Sequence, residues 1–230
     1  MTKNFDTFED KIGYSFNDKS LLEQAFIHRS YLNEHRDVRL EHNERLEFLG
    51  DAVLELVVTD HLFHQYPKEP EGALTSYRAA LVNATTLASI AVGLGMNEYL
   101  LLSKGEEKDV GRARHYLLAN TFEALVGALY LDGGYDAARA FIEKNVFPLT
   151  AAIVEQRLWQ DAKSKFQEEA QERDGVTPSY EMLKQAGPDH DKKFTVGVYI
   201  KGELIAEGEG KSKQEAEQDA AKAALLAKSW

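Results

Sequence analysis

Apolar residues recur at intervals near 3.6 through the first two thirds of the chain. The pattern runs through LLEQAFIHRSYL (21–32), RLEFLGDAVLELVVTDHLF (45–63), TSYRAALVNATTLASIAV (75–92) and TFEALVGALYLD (121–132). Each stretch predicts an amphipathic helix with one face turned to a core. Pro67 and Pro70, Gly93 and Gly95, Gly105, and the pair Gly133–Gly134 separate them as breakers. No strand-like alternation persists before residue 152, so the pattern predicts an all-α domain over 1–152. The longest uncharged run, Ala79 to Asn97, is interrupted by Asn83, Thr85, Thr86, Ser89 and two glycines. It reads as a packed helix plus a turn, not a membrane span.

The period changes after about Trp159. DAKSKFQEEAQERDG predicts a helix with Asp161 as its N-cap and Gly175 as its stop. Three strand candidates follow: SYEMLKQ, KKFTVGVYI and ELIAEGEG. In the middle one Phe194, Val196, Val198 and Ile200 alternate with Thr195, Gly197 and Tyr199, which predicts one buried face. Ser212 and Glu215 form an S-x-x-E capping box opening a last helix, with Ala216, Ala220, Ala223, Ala224 and Leu225 as its apolar stripe. The order α-β-β-β-α defines a small α+β domain over 161–230. Residues 153–160 lack Pro and Gly, so this linker is short or partly helical.

Composition narrows the class. The chain has 230 residues, no cysteine and a formal net charge of −11. Disulfides and thiolate metal sites are excluded. The acidic balance argues against a simple nucleic-acid-coating protein but leaves room for local basic patches. The N-terminus, MTKNFDTFEDKIGYSF, lacks the apolar core of a signal peptide, and the expectation is a cytoplasmic protein with no membrane partner.

The chemistry gathers on two of the predicted helices. In HNERLEFLGDAVLE, at about 100° per residue, Glu44, Glu47 and Asp51 fall at roughly 0°, −60° and −20° around the axis. Three carboxylates on one face repel, by a few tenths of a kcal/mol per pair on an open helix and by more when partly buried. In LLANTFEALVGALYLDGG, Asn120 and Glu123 stand at i and i+3 on an otherwise apolar helix. If the two helices cross, Glu47, Asp51, Asn120 and Glu123 could form an oxygen-only site, which suits Mg²⁺ or Mn²⁺. Bound cations would offset the repulsion and activate water for attack on a phosphodiester. A merely solvated acidic face is the competing reading, and spacing alone does not choose between them.

The string ERLEFLGDAVL at 44–54 closely resembles the defining motif of the ribonuclease III family. The resemblance extends through AFIHRSY, EGALTSYRAALV (71–82), NTFEALVGALYLDGG and the C-terminal domain, which resembles a double-stranded-RNA-binding domain. It implies an all-α endonuclease domain followed by that RNA-binding domain, assembled as a homodimer. The implied reaction is Mg²⁺-dependent hydrolysis of both strands of double-stranded RNA in rRNA and mRNA precursor processing. The products would carry 5′-phosphates and short 3′ overhangs. Mn²⁺ is expected to substitute for Mg²⁺, and no small-molecule cofactor is implied. Glu47 and Glu123 look like metal ligands and Asp51 lies close to metal and attacking water. Glu44 matches a catalytic-domain position near the dimer interface, where a salt bridge with Arg45 or a partner arginine is the plainer alternative. Glu71 matches an acidic position lining the cleft. Asn120 stands where most bacterial members carry Asp; its carbonyl can ligate Mg²⁺ but brings one negative charge fewer.

In the C-terminal domain, Ser164, Gln167 and Glu168 lie at one-turn spacing for a minor groove of duplex RNA, whose bases are hidden. His190, in GPDHDKK, enters the next minor groove by resemblance. Lys211, Ser212 and Lys213, in GEGKSKQEAE, stand at a helix N-terminus that attracts phosphate. Gln214 replaces a lysine usual in the family. Residues 160–230 hold 11 Lys/Arg against 14 Asp/Glu, so modest affinity and strong salt dependence are expected.

Other polar residues are read more plainly. Asp60, His61 and His64 are assigned to a polar surface, His28 to a structural hydrogen bond, and Trp159 and Trp230 to domain edges. Arg112 and Arg114, in SKGEEKDVGRARH, either touch phosphates or decorate a solvated loop. Two alternatives to the nuclease remain: a double-stranded-RNA-binding protein in which Asn120 weakens cleavage, and a helical metal-dependent nucleotide pyrophosphatase.

Overall fold

The computed structural model describes residues 3–35, 37, 39–108, 111–155, 162–187 and 192–230, with only the backbone of Arg112. Asp161, Trp159 and His190 lie outside the described residues. The chain divides into two compact units, Met1–Trp159 and Gln160–Trp230.

The first unit is helical. It contains α1 (Asp6–Ile12), α2 (Lys19–Ala25), α3 (Arg29–Glu34), α4 (Glu44–Gln65), α5 (Glu71–Leu81), α6 (Ala84–Gly93), α7 (Arg112–Asn145) and α8 (Thr150–Glu155), with short 3₁₀ turns at Met96–Glu98, Glu106–Lys108 and Phe147–Leu149. The core joins Phe8, Phe26, Leu54, Leu62, Leu81, Leu87, Phe122 and Leu125, all fully buried. At about 1.5–3 kcal/mol per buried large side chain, this cluster supplies the main driving force of the unit.

Two stretches with continuous helical periodicity are each broken in two. LLEQAFIHRSYL divides at Phe26–His28, where Ile27 forms a parallel bridge with Leu101. The Leu101 N–H donates to Phe26 O (2.9 Å) and the His28 N–H to Leu101 O (3.1 Å). His28 then caps α3, its Nδ1 accepting from the Ser30 N–H at 3.3 Å. TSYRAALVNATTLASIAV, and with it the uncharged run 79–97, divides at Val82–Asn83. There Asn83 Oδ1 accepts from the Thr86 N–H at 2.9 Å and opens α6. In both cases a cap or a distant backbone partner outweighs the local period, because the ends of each helix need hydrogen-bond partners that the period does not supply.

The glycine pair acts as a kink. α7 changes direction at Gly134 (φ 74°, ψ −169°). Just before it, Asp132 accepts from Tyr14 Oη (2.8 Å) and from the N–H groups of Asn17 (3.0 Å) and Asp18 (2.8 Å). Burial raises the Asp132 carboxyl, but these donors outweigh it and hold the group below its usual value. The N-terminal segment is thereby tied to α7 where it bends.

The second unit has α9 (Ala162–Asp174), β1 (Ser179–Ala186), β2 (Lys193–Ile200), β3 (Glu203–Gly210) and α10 (Lys213–Lys228). The strands form an antiparallel sheet in the order β1-β2-β3. Val196, Val198 and Ile200 are buried as the alternation predicts, whereas Phe194 is half-buried. Phe166 of α9 is fully buried and stacks on Trp230 at 5.3 Å. α10 lies directly on β3: a Cβ at Gly208 would stand 2.0 Å from the Ala220 nitrogen. Only small residues permit that approach, and Ala216, Ala220, Ala221 and Ala224 are all buried; Ala221, not Ala223, completes the stripe. Ser212 caps α10, its Oγ accepting from the Glu215 N–H at 3.1 Å. The reciprocal arm of the box differs, since Glu215 Oε2 accepts from the Lys211 N–H at 2.9 Å.

Among the described residues no helix is long and apolar enough to cross a membrane.

Candidate functional site

The acidic residues of the helical unit meet where α4 crosses α7. Two buried glycines make this the closest approach. A Cβ on Gly50 of α4 would lie 1.8 Å from the Glu123 carbonyl oxygen, and one on Gly127 of α7 would lie 2.2 Å from the Leu46 oxygen. Backbone therefore rests on backbone, and the side chains on either side of the glycines are drawn together. Glu47 and Asp51 flank Gly50 on α4, and Glu123 stands one turn before Gly127 on α7.

The electrostatics record the crowding. Glu123 is half-buried, and burial, then Asp51, then Glu47 push its carboxyl up to about 7. Glu47 is also half-buried. Burial raises it first, then the Glu44 charge, while a hydrogen bond from the Asn120 side chain pulls it down and Asp51 pushes it up again. Asp51 itself is exposed. Among the described residues, however, no three carboxylate or imidazole groups are gathered tightly enough to hold a metal ion as they stand. The donor set is nonetheless all oxygen, as hard divalent cations require, and its mutual repulsion is the load a cation would relieve.

Glu44 sits at the edge of this face. Arg29 Nη1 lies 3.6 Å from its Oε1, and His42 Nδ1 lies 3.8 Å from its Oε2. The expected partner Arg45 instead faces Glu41 at 3.5 Å. Glu71 stands apart from the crossing. It lines a cavity of about 450 Å³ with Thr59, Leu62, Phe63, Leu74 and Arg78.

A feature absent from the sequence reading lies beside the carboxylates. Phe48 is 81% exposed, Leu56 58% and Phe63 66%. At 100° per residue these three fall within roughly 80° of one another, on the side of α4 away from Leu46, Val53 and Val57. Glu44, Glu47 and Asp51 occupy the border between this exposed apolar band and the face packed on α7. The excess of apolar residues in RLEFLGDAVLELVVTDHLF over what one buried stripe needs was the available signal.

His61 stacks on Phe147 at 3.7 Å, and His64 Nδ1 meets Asp60 O at 2.8 Å, so the TDHLFHQY cluster serves packing and the helix surface. His28 makes the structural hydrogen bond already described. Arg114 Nη2 donates to Glu106 O (2.9 Å) and Glu107 O (3.0 Å), holding its own loop.

In the second unit Ser164, Gln167 and Glu168 are exposed on α9, opposite the buried Ala162, Phe166 and Ala170. They line a shallow groove with Gln171 and Glu172. Lys211, Ser212 and Lys213 are exposed at the start of α10. Lys163 Nζ bonds Glu217 Oε2 at 2.7 Å, and Lys213 Nζ approaches the other oxygen of Glu217 at 4.0 Å. Lys213 at this helix start thus keeps an acidic neighbour, in a unit where acidic residues outnumber basic ones.

Comparison with known proteins bears on both units. Residues 18–150 match the family model described as Ribonuclease-III-like, and residues 162–227 match the double-stranded RNA binding motif. A ribonuclease 3 from Enterococcus faecalis is 49% identical over 218 residues, covering 94% of this chain and 94% of its own. One from Bdellovibrio bacteriovorus is 44% identical over 220 residues, covering 95% and 94%. Among solved structures, the nuclease domain of ribonuclease III from Campylobacter jejuni is 42% identical, with a TM-score of 0.56. It is matched over 99% of its length and 63% of this chain.

Proposed function

We propose, for a chain that belongs to the ribonuclease III family, that the face around the α4–α7 crossing cuts both strands of an RNA duplex held by the C-terminal unit. The chain is an endoribonuclease acting on phosphodiester bonds. The observation that carries the assignment of the site is the glycine-to-backbone crossing, which sets Glu47 and Asp51 beside Glu123.

In this reading Glu47, Asp51 and Glu123 hold Mg²⁺, or Mn²⁺ in its place. When bound, the cation would neutralise charge and lower the pKa of a water, so that the water could lose a proton and attack phosphorus as hydroxide. Asp51, the exposed member, faces the solvent side from which that water comes. Glu44 orders the rim through Arg29. The products carry 5′-phosphates and short 3′ overhangs, and rRNA and mRNA precursors are the substrates.

Double-stranded RNA binding belongs to the second unit. Ser164, Gln167 and Glu168 meet one minor groove and His190 the next, while Lys211, Ser212 and Lys213 hold the phosphates between them. The helical unit works as a homodimer: Phe48, Leu56 and Phe63 form an apolar band unusual for a free surface. The Campylobacter jejuni nuclease domain was itself described for flexibility in a region involved in dimer formation.

The test is cleavage of a perfect duplex of about 30 base pairs across a Mg²⁺ titration, with Glu123→Ala beside the unsubstituted chain. Mg²⁺-dependent cutting that Glu123→Ala loses by about 10²-fold or more supports the site. Binding without cutting by the unsubstituted chain would return the reading to an RNA-binding protein. Undiminished cutting by Glu123→Ala would remove Glu123 from the site.

A further inference from the structure

The first turn of α3 makes two contacts through adjacent residues. Arg29 Nη1 lies 3.6 Å from Glu44 Oε1, at the edge of the acidic face. Ser30 Oγ lies 2.8 Å from His28 Nδ1 and accepts from the Ser103 N–H at 3.1 Å. The Ser30 N–H is already aimed at His28 Nδ1. That nitrogen therefore holds a lone pair, and the 2.8 Å contact has the Ser30 O–H as its donor. The imidazole is neutral, with its proton on Nε2, and each bond in the chain polarises the next. Segment 103–108 is held at further points. The Lys104 N–H donates to Glu34 Oε2 (3.4 Å), the Glu106 N–H donates to Ser103 Oγ (3.4 Å), and Arg114 takes the Glu106 and Glu107 carbonyls. α3 thus straps this segment to the side of the acidic face where Glu44 stands. The segment exposes Lys104 and Lys108.

We propose that His28 and Ser30 are positioning residues, a neutral imidazole–hydroxyl latch that fixes segment 103–108 beside the acidic face, where it meets the phosphates of a bound duplex. The proposal rests on the reading of that face as the cleavage site. Lys104, next to the latched Ser103, presents its ammonium to the RNA backbone, a contact that sets register without reading sequence. The latch holds only while Nδ1 accepts. A proton there would set a second N–H against the Ser30 N–H, deprive α3 of its cap and reverse the hydroxyl. Burial lowers the His28 pKa first; Glu106 and Glu44 raise it, and Arg29 and His42 lower it. The folded value lies below the ordinary 6.5, so the latch is closed at neutral pH and opens as pH falls through that lowered value.

The nitrogen spectrum of ¹⁵N-histidine in the full chain, in chelator and without RNA, tests the latch directly. The His28 signal is identified by its loss in His28→Asn. At about pH 7.5 an unprotonated Nδ1 and a protonated Nε2 are expected. The opposite tautomer, or a ring averaging between the two, would overturn the proposal. Cleavage of a duplex of about 30 base pairs at saturating Mg²⁺ tests what the latch positions. Ser30→Ala should raise KM by about three- to tenfold with kcat within about threefold, and Ser30→Thr, which keeps the hydroxyl, should restore KM. Asparagine caps a helix without titrating. The KM of the unsubstituted chain should therefore rise about threefold or more relative to that of His28→Asn as pH falls from about 7.5 to about 5.5. A KM that Ser30→Ala leaves unmoved, with loss confined to the thermal midpoint, would show that these bonds only support the fold and would also overturn the proposal. The ring spectrum needs neither metal nor substrate. Failure of the latch is thereby told apart from failure of the cleavage site, which the Mg²⁺ titration of the unsubstituted chain reports.

Discussion

Glu123 concentrates the electrostatics of the acidic face in one titration. Its carboxyl, pushed up to about 7 by burial and by Asp51 and Glu47, is half protonated near neutral pH. Because the folded value lies above the ordinary 4.5, its contribution to stability is fully present below about 4.5. That contribution is lost as pH rises through about 7. A cation competes with the same proton, so metal affinity should climb by up to about tenfold per pH unit below 7 and level off above it. Mn²⁺ calorimetry between pH 5.5 and 8 measures this, and Glu123→Gln should flatten the profile. A flat profile for the unsubstituted chain would show that this carboxyl does not meet the ion. Arg29 adds a lesson at the same scale: the partner of Glu44 comes from the preceding helix, not from the adjacent Arg45.

At the scale of elements, the site depends on how closely α4 and α7 approach. Gly50 and Gly127 are inside helices, where glycine costs about 1 kcal/mol relative to alanine. The crossing requires them all the same, since a Cβ at either would overlap backbone of the other helix. Gly50→Ala is expected to destabilise by more than about 2 kcal/mol, despite its better helix propensity, and to lower the rate by forcing Glu47 and Asp51 away from Glu123. Chemical denaturation and cleavage at saturating Mg²⁺ would check it. Gly72→Ala, at a helix glycine whose Cβ would meet nothing within 4 Å, is the control and should be neutral or stabilising. Equal behaviour of the two variants would show that the approach is looser than described.

At the scale of the whole molecule, the band of Phe48, Leu56 and Phe63 bears on assembly. A single exposed large apolar side chain is ordinary, whereas three in line on the helix that carries the carboxylates are not. Phe48→Glu should convert the chain to a monomer in sedimentation velocity without loss of helical signal, and cleavage should fall with the dimer. A dimer that persists in Phe48→Glu would place the interface elsewhere. The C-terminal unit has its own core around Phe166, Val198 and Ile200, so RNA binding is supplied by a separately packed body.

The sequence by itself determined the helical unit followed by the α-β-β-β-α order, the capped start of α10 and the spacing of the acidic residues along two helices. Those features depend on periodicity, caps and short motifs, which are local properties. Tertiary structure decided what depends on distant partners. Leu101 breaks the helix at Ile27, Tyr14 and the Asn17–Asp18 backbone secure Asp132 beside the bend at Gly134, and Arg29 reaches Glu44. The exposed band on α4 was legible only once the other helices had covered the rest, because a helix rich in apolar residues does not say which of them its neighbours will bury.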